Sequence, residues 1–380
     1  MKVLMVSRDR RVFEKGSDVR SRIVEYGTLF NELHVIVFTK NKPEREREYL
    51  SDNTIAYPTN SFSRFLYSMD AAIIADDILG HVPKMEKNKW IVSVQDPFDV
   101  GLAGLKIKRR HHIPLQVQVH GDDIGNPRFR TESFLNRIRL RMADKVLPQA
   151  DCIRVVSRRI KRALLHTYTL SCEPTVLPIW CDVSGIAKAK TTYDLHKKYP
   201  QFDFIALTAS RLEREKNLDL AIRAFQTVCT HDPKAGLVIV GDGGERERLK
   251  RLVSNLGLTK SVIFEGWQDS VISRYKTADI FVNTSNHEGY CLTLVEAASA
   301  GCPIVTTDVG MVGESLNESN VSICPVGDRG CFEKKIISAI NNRPILATMS
   351  EKARASIMEH AETKKEYLER YRESFNLCLR

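Results

Sequence analysis

The sequence predicts two consecutive doubly wound α/β domains. Three observations carry that reading. Short runs rich in Val, Ile and Leu alternate with segments whose apolar side chains recur at helical spacing, the order that builds βαβ units and parallel sheet. The alternation lapses over 179–203, beside Pro178 and Pro200, and restarts at Phe204. The length, 380 residues, suits two to three domains, and 43% apolar with 27% charged residues is a globular composition.

Lys2–Ser7 (KVLMVS) reads as a buried parallel strand. Val19, Ile23, Tyr26, Phe30 and Leu33 then mark an amphipathic helix, and His34–Thr39 (HVIVFT) a second strand. Strand, helix and strand in this span form a right-handed βαβ unit. Residues 41–53 (NKPEREREYLSDN) read as a charged loop. Trp90–Gln95, Leu115–His120 and Cys152–Val156 are further strands, with helices expected near 63–79, 99–110, 133–147 and 157–166.

After the linker, strands are expected at Phe204–Thr208, Leu237–Val240, Val262–Phe264, Asp279–Asn283 and Pro303–Thr306. Helices are expected at 218–230, 245–256, 268–276 and Cys291–Ala300, and the last 50 residues read as helical. In open α/β sheets ligands bind outside the carboxyl ends of the strands, so the loops after the strands are where chemistry is sought. Two such sheets facing each other would form a cleft between the domains.

No apolar run approaches the roughly 20 residues that span a bilayer. The opening segment meets Arg8, Asp9, Arg10 and Arg11 too early for a secretory leader. Nine cysteines without a Cys-x-x-Cys pair indicate neither a disulfide framework nor a zinc site. Most of them read as small buried apolar residues of a cytoplasmic chain.

The charge is polarised. Residues 1–200 hold 34 Lys and Arg against 23 Asp and Glu, whereas 201–380 hold 23 against 24. Such a field suits an anionic partner, whether nucleic acid, acidic membrane or phosphorylated substrate, or simply a soluble basic surface. Within it, Ser133–Leu147 places Arg137, Arg139, Arg141 and Lys145 among Phe134, Leu135, Ile138, Met142 and Val146. That pattern fits a helix lying on an anionic membrane, and equally one that packs its apolar stripe on the sheet and exposes its charges.

Three segments of the second half carry chemistry. Ser210–Asn217 (SRLEREKN) follows the strand FIALT and sets Arg211 and Lys216 on a strand-end loop, where a guanidinium and an ammonium suit a diphosphate. Val240–Gly244 (VGDGG) is a glycine-rich βα turn with no dinucleotide fingerprint, and Gly241 could approach a ligand there. Asn286–Pro303 (NHEGYCLTLVEAASAGCP) ends the loop after DIFVN with Glu288 and starts a helix whose first-turn N–H groups suit a pyrophosphate. Glu296 lies about two turns along that helix, where a carboxylate can accept from vicinal hydroxyls. The spacing of two glutamates means little by itself in a chain with 25 of them; the context carries the reading.

This arrangement resembles the donor site of retaining, GT-B-fold glycosyltransferases of family four, over most of 204–315. The resemblance implies that Glu288 holds the transferred sugar and Glu296 the ribose. It implies that Arg211 and Lys216 hold the diphosphate with the backbone at Leu292 and Thr293, that Gly289 and Tyr290 belong to the donor loop, and that Phe264–Glu265 cradles the base. Cys291 and Asn217 stand where the family usually has glycine.

In the first half, the family's first loop usually carries a glycine pair, and here only Gly16 is present. Arg20 and Arg22 follow it and can face an acceptor or solvent. His120 closes the strand LQVQVH before Gly121, where the family often has a histidine near the transferred sugar. Asp122, and Asp96 in Gln95–Phe98, are acceptor-side candidates.

The resemblance thus implies domains at 1–183 (acceptor side), 184–360 (nucleotide-sugar donor) and a helix at 361–380 returning to the first. It implies a retaining hexosyltransferase acting on a UDP- or GDP-sugar and a glycan, lipid-linked or anionic acceptor. Neither metal nor other cofactor is expected: no Asp-x-Asp triplet occurs. A cytoplasmic protein, with peripheral contact at the inner membrane face, fits the composition. A DNA-glucosylating enzyme of the same fold and a non-enzymatic nucleotide-sugar sensor are the rival readings. The first lacks an aromatic-interleaved basic stretch, so nucleic acid is not the expected partner.

Overall fold

The computed structural model describes residues 1–40 and 47–379. The chain divides into two compact units, Met1–Pro178 with Lys364–Arg380, and Ile179–Thr363. The divisions fall at 178/179 and 363/364, against the expected 183/184 and 360/361.

The first unit contains strands β1 (Lys2–Ser7), β2 (Glu32–Val37), β3 (Glu48–Ser51), β4 (Thr54–Pro58), β5 (Trp90–Val94), β6 (Leu115–Val119), β7 (Cys152–Val155) and β8 (Thr175–Val176). Its helices are α1 (Asp18–Gly27), α2 (Tyr67–Leu79), α3 (Asp99–His111), α4 (Pro127–Glu132), α5 (Phe134–Val146) and α6 (Arg158–Thr167). The sheet order is β3-β4-β2-β1-β5-β6-β7-β8, parallel except for β3 against β4. β1 is central and fully interior from Val3 to Val6, as a strand covered on both faces must be.

The expected loop over 41–53 is corrected in part. Residues 41–46 lie outside the described residues, and 48–58 form the β3–β4 hairpin. Phe30 and Leu33 lie beyond the end of α1, which stops at Gly27.

The second unit opens with α7 (Val183–Lys188) and α8 (Leu195–Lys198), so the expected linker is largely part of this unit. There follow β9 (Phe204–Ala209), α9 (Leu218–His231), β10 (Ala235–Val240), α10 (Arg246–Asn255), β11 (Val262–Gly266), α11 (Ile272–Thr277), β12 (Ile280–Asn283), α12 (Leu292–Ala300), β13 (Ile304–Thr307), β14 (Ser322–Cys324), α13 (Arg329–Asn341) and α14 (Arg343–Glu359). The sheet is parallel throughout, in the order β11-β10-β9-β12-β13-β14. Along β9, Phe204 and Ala206 enter one core, and Ile205, Leu207 and Ala209 the other. This period of two is what lets one strand hold helices on both faces of the sheet.

The last helix, α15 (Lys364–Asn376), packs on the first unit. Tyr371 stacks on Tyr26 at 4.3 Å between ring centroids, and Phe375 meets Phe30 edge-on at 5.0 Å. The buried Arg154 guanidinium donates to Gln118 Oε1 (2.7 Å), Tyr367 OH (3.1 Å) and the carbonyls of Leu177 (3.2 Å) and Pro178 (3.1 Å). Gln118 in turn donates to Tyr371 OH at 3.1 Å.

The reading of the cysteines is also corrected. Cys152–Cys378 and Cys324–Cys331 are disulfide-bonded, pairs whose sequence spacing shows no motif. Among the described residues, no helix is long and apolar enough to cross a membrane.

Candidate active site

In the second sheet the strand order reverses between β9 and β12. Loops after strands on either side of such a reversal splay apart and leave a crevice, the usual ligand site of doubly wound folds. The loop after β9 carries Arg211 and Lys216, and the loop after β12 carries Glu288.

The two loops are tied together. Asn286 N–H donates to the Glu215 carbonyl (2.8 Å), Thr284 Oγ1 to the Lys216 carbonyl (3.0 Å) and Asn217 Nδ2 to Asn286 Oδ1 (3.1 Å). Within this frame Lys216 Nζ lies 2.6 Å from Glu288 Oε1, which also accepts from Ser285 Oγ at 2.7 Å. Both side chains of the ion pair are mostly buried. Arg211 differs: its side chain is 67% exposed and, among the described residues, its guanidinium pairs with Glu215 at 3.1 Å. It is therefore able to move onto a ligand at little cost.

Gly289 and Tyr290 lead from Glu288 into α12. The N-cap residue, Cys291, makes no side-chain bond to the first turn of α12, which leaves the N–H groups of Leu292 and Thr293 at a positive helix end not capped by that residue. Further along, Glu296 accepts from Tyr275 OH at 3.1 Å, and burial pushes its carboxyl above the usual range.

At Phe264–Glu265, the loop expected to cradle the base, the side chains are engaged within the unit. The Glu265 carboxylate is ion-paired with Arg274 and accepts from Tyr193 OH (2.6 Å) and Tyr199 OH (2.9 Å). Burial alone would raise its pKa, and these hydrogen bonds hold it below the ordinary value instead. Phe264 packs against the core. Gly241 likewise serves packing: at φ 128° a Cβ would collide with the Ser210 carbonyl oxygen, and its N–H donates to the Gly266 carbonyl at 2.8 Å.

The remaining sequence candidates belong to the first unit. Its sheet reverses order between β1 and β5, and Asp96 sits in the loop after β5. Asp96 Oδ1 accepts from Phe98 N–H at 2.8 Å. Burial, then the nearby Asp99 carboxylate, raises its pKa to about 6 against the pull of Arg8. At the end of neighbouring β6, His120 is held neutral: burial and then Arg154 and Arg22 lower its pKa to about 3. Neither His120 Nε2 nor Gln95 Nε2 has a hydrogen-bond partner among the described residues, although both atoms are buried. Asp122 is half-buried in the loop that follows His120.

Arg20 Nη1 pairs with Glu48 of β3 at 2.6 Å. Gly16 sits at φ 82° with open space where a Cβ would be, which makes it a turn residue before α1. Among the described residues, no group of three or more His, Cys, Asp or Glu is arranged to hold a metal ion.

Comparison with known proteins decides the family. Residues 30–184 match the model described as Glycosyltransferase Family 4, and residues 194–356 the one described as Glycosyl transferases group 1. The chain belongs to the family-four glycosyltransferases of the GT-B fold.

Over 174 residues this family-four chain is 29% identical to N-acetyl-alpha-D-glucosaminyl L-malate synthase of Bacillus anthracis, 45% of each protein. Over 225 residues it is 28% identical to alpha-monoglucosyldiacylglycerol synthase of Streptococcus pneumoniae, 57% of this chain and 51% of that one. The matches span about half the length of these curated relatives. Among solved structures, Anabaena HepE in complex with UDP has a TM-score of 0.73 at 17% identity, covering 99% of this chain and 100% of that one, a likeness of fold.

The two departures from the family-four glycine pattern have a common cause. Asn217 (φ 47°) and Cys291 (φ 74°) are both left-handed, the conformation that glycine adopts freely. Asn217 is helped by its bond to Asn286, and asparagine tolerates this region better than most residues. Sequence reasoning missed Ser285, Tyr275 and the Tyr193–Tyr199–Arg274 cluster. Ser285, three residues before Glu288 on a strand-end loop, was within reach of a motif reading; the others join partners far away in sequence.

Proposed function

We propose that the protein transfers a hexosyl group from a UDP-sugar to a hydroxyl of a glycan or lipid-linked acceptor, with retention at the anomeric carbon and without a metal ion. The observation that carries this is the Lys216–Glu288 pair beside the start of α12, at the strand-order reversal of the second unit. UDP is favoured over GDP because the HepE structure of the same fold holds UDP. A glycan or lipid acceptor is favoured by the names of relatives, one of which makes a glucosyldiacylglycerol and another of which, from Staphylococcus aureus, modifies poly(ribitol-phosphate).

In the proposed reaction the bond between the sugar C1 and the diphosphate oxygen breaks, and the acceptor oxygen bonds to C1 on the same face. The hydroxyl proton leaves with the diphosphate. Charge developing on the diphosphate meets Lys216 and the N–H groups of Leu292 and Thr293, donors already held in place, and Arg211, which moves onto it. Glu288, held in place by Lys216 and Ser285, accepts from the sugar hydroxyls, and Glu296 accepts from those of the ribose. On the acceptor side, Asp96 and the neutral His120 are polar groups at adjacent strand ends.

The test is the product. Anomeric configuration is read by NMR after transfer from a UDP-sugar, in chelator and again with added divalent ion. Retention with equal rates supports the reading. Inversion, or a rate restored only by metal, overturns it.

A further inference from the structure

Helices α2 and α5 both pack on α3 along one face of the first unit's sheet. Each begins at the rim formed by the strands' carboxyl ends, α2 after β4 and α5 after β6. At those beginnings large apolar side chains stand in water: Phe62 and Phe65 are 83% and 96% exposed, Phe134 and Leu135 70% and 62%. Met69 and Ile73 continue the exposed stripe along α2. Single exposed apolar residues are ordinary, but paired aromatic and aliphatic residues along one rim are not a scatter.

A cationic face runs back along α5 from this rim. Arg137, Arg141 and Lys145 recur every four residues along the exposed side of α5, opposite the buried Asn136, Ala143 and Val146. Residues 127–147 hold six Lys and Arg against two Asp and Glu. The unit as a whole holds 35 against 24.

These features together select the partner. A soluble polyanion would satisfy the arginines and leave the phenylalanines in water. A second copy of the chain would bring like charges together. An anionic bilayer offers phosphate at its surface and hydrocarbon just beneath, at the depth a first-turn phenylalanine reaches.

We propose that the segment leading into α2, with Phe62 and Phe65, and the first turn of α5, with Phe134 and Leu135, insert into an anionic lipid surface, with Arg137 and Arg141 on the headgroups. The contact is interfacial and holds the acceptor-side loops of the first unit against the membrane. Its use in delivering a lipid-linked acceptor rests on the function proposed above; the docking itself does not.

The experiment is sedimentation of the full-length protein with vesicles of phosphatidylcholine alone or mixed with phosphatidylglycerol, without donor. The protein pellets with mixed vesicles, not with neutral ones, and less as salt rises. Arg137→Glu with Arg141→Glu weakens this on the order of tenfold or more. Phe62→Ser with Phe65→Ser weakens it at low salt, where charge alone would suffice. The emission of Phe134→Trp, read as a difference from wild type, shifts to the blue on mixed vesicles. Folding of each variant is checked by its melting temperature. No binding to mixed vesicles, or binding indifferent to both double substitutions, overturns the proposal. So does binding to polyphosphate as tight as to vesicles with no blue shift, which would mark a polymer site. Because binding is read without donor, an inactive protein that binds vesicles would count against the transfer reaction alone. An active one that ignores them would count against the docking alone.

Discussion

Lys216 Nζ and Glu288 Oε1 stand 2.6 Å apart, joining two strand-end loops that are 72 residues apart in sequence. The pair is largely shielded, so each group is the main counter-charge of the other. A diphosphate arriving at the start of α12 would share Lys216, and a sugar hydroxyl would take up the acceptor capacity of Glu288. Lys216→Ala and Glu288→Gln are each expected to slow transfer by on the order of a hundredfold or more while the fold survives. The double variant should lose much less than the product of the two, because the residues act as a unit. Independent, multiplying losses would separate them.

Arg211 should behave differently. Exposed and paired with Glu215 on its own loop, it contributes little to stability. Arg211→Ala is expected to leave the melting temperature within experimental error and to weaken donor binding and turnover together. Unchanged kinetics with a verified donor would remove it from the site.

Asp96 predicts a dependence on pH. Its pKa is raised to about 6 in the folded protein, above the ordinary aspartate value near 3.9. Between those values the folded state binds more protons than the unfolded one, so stability falls as pH rises through the window. Asp96→Asn removes that penalty. It should stabilise the protein by up to about 3 kcal/mol at pH 8 and by almost nothing below pH 4. If Asp96 also meets the acceptor, the same variant abolishes an acid limb near pH 6 in kcat/KM for acceptor. A stability difference that does not grow with pH would show that the carboxyl is not strained by burial.

The interior strands were legible nearly to the residue because buried parallel strands read as continuous apolar runs. The edges were not. Glu48–Ser51 is half exposed and Thr54–Pro58 ends in proline, so neither shows a continuous run. The expected helix at 268–276 begins later, at Ile272, because Gln268 is drawn back to the Glu265 carbonyl and to Arg274. That Lys216 and Glu288 lie on neighbouring strand-end loops was legible because both follow recognisable strands. The engagement of Glu265 was not legible because its partners, Tyr193, Tyr199 and Arg274, come from three separate segments with no shared period. The disulfide from Cys152 to Cys378 spans 226 residues and left no local trace at all.

The returning helix α15 should be integral to the first unit. Tyr371 and Phe375 are fully buried against Tyr26 and Phe30. Phe375→Ala is expected to cost about 3 to 5 kcal/mol. The measurement is thermal or urea unfolding in reductant, so that the Cys152–Cys378 bond does not hold the helix in place. A loss under about 1 kcal/mol, below the usual range for a buried aromatic, would mean that α15 is not bound as described.

The most direct test of the site is release of nucleoside diphosphate by the purified chain from a panel of UDP- and GDP-sugars, with glycan and lipid-linked acceptors present and absent. At least one UDP-sugar is expected to be turned over, acceptor to accelerate release and UDP to raise the melting temperature, while Lys216→Ala slows release by on the order of a hundredfold or more and diminishes the UDP-induced rise. No release from any donor, with UDP leaving the melting temperature unchanged, would contradict the proposed function.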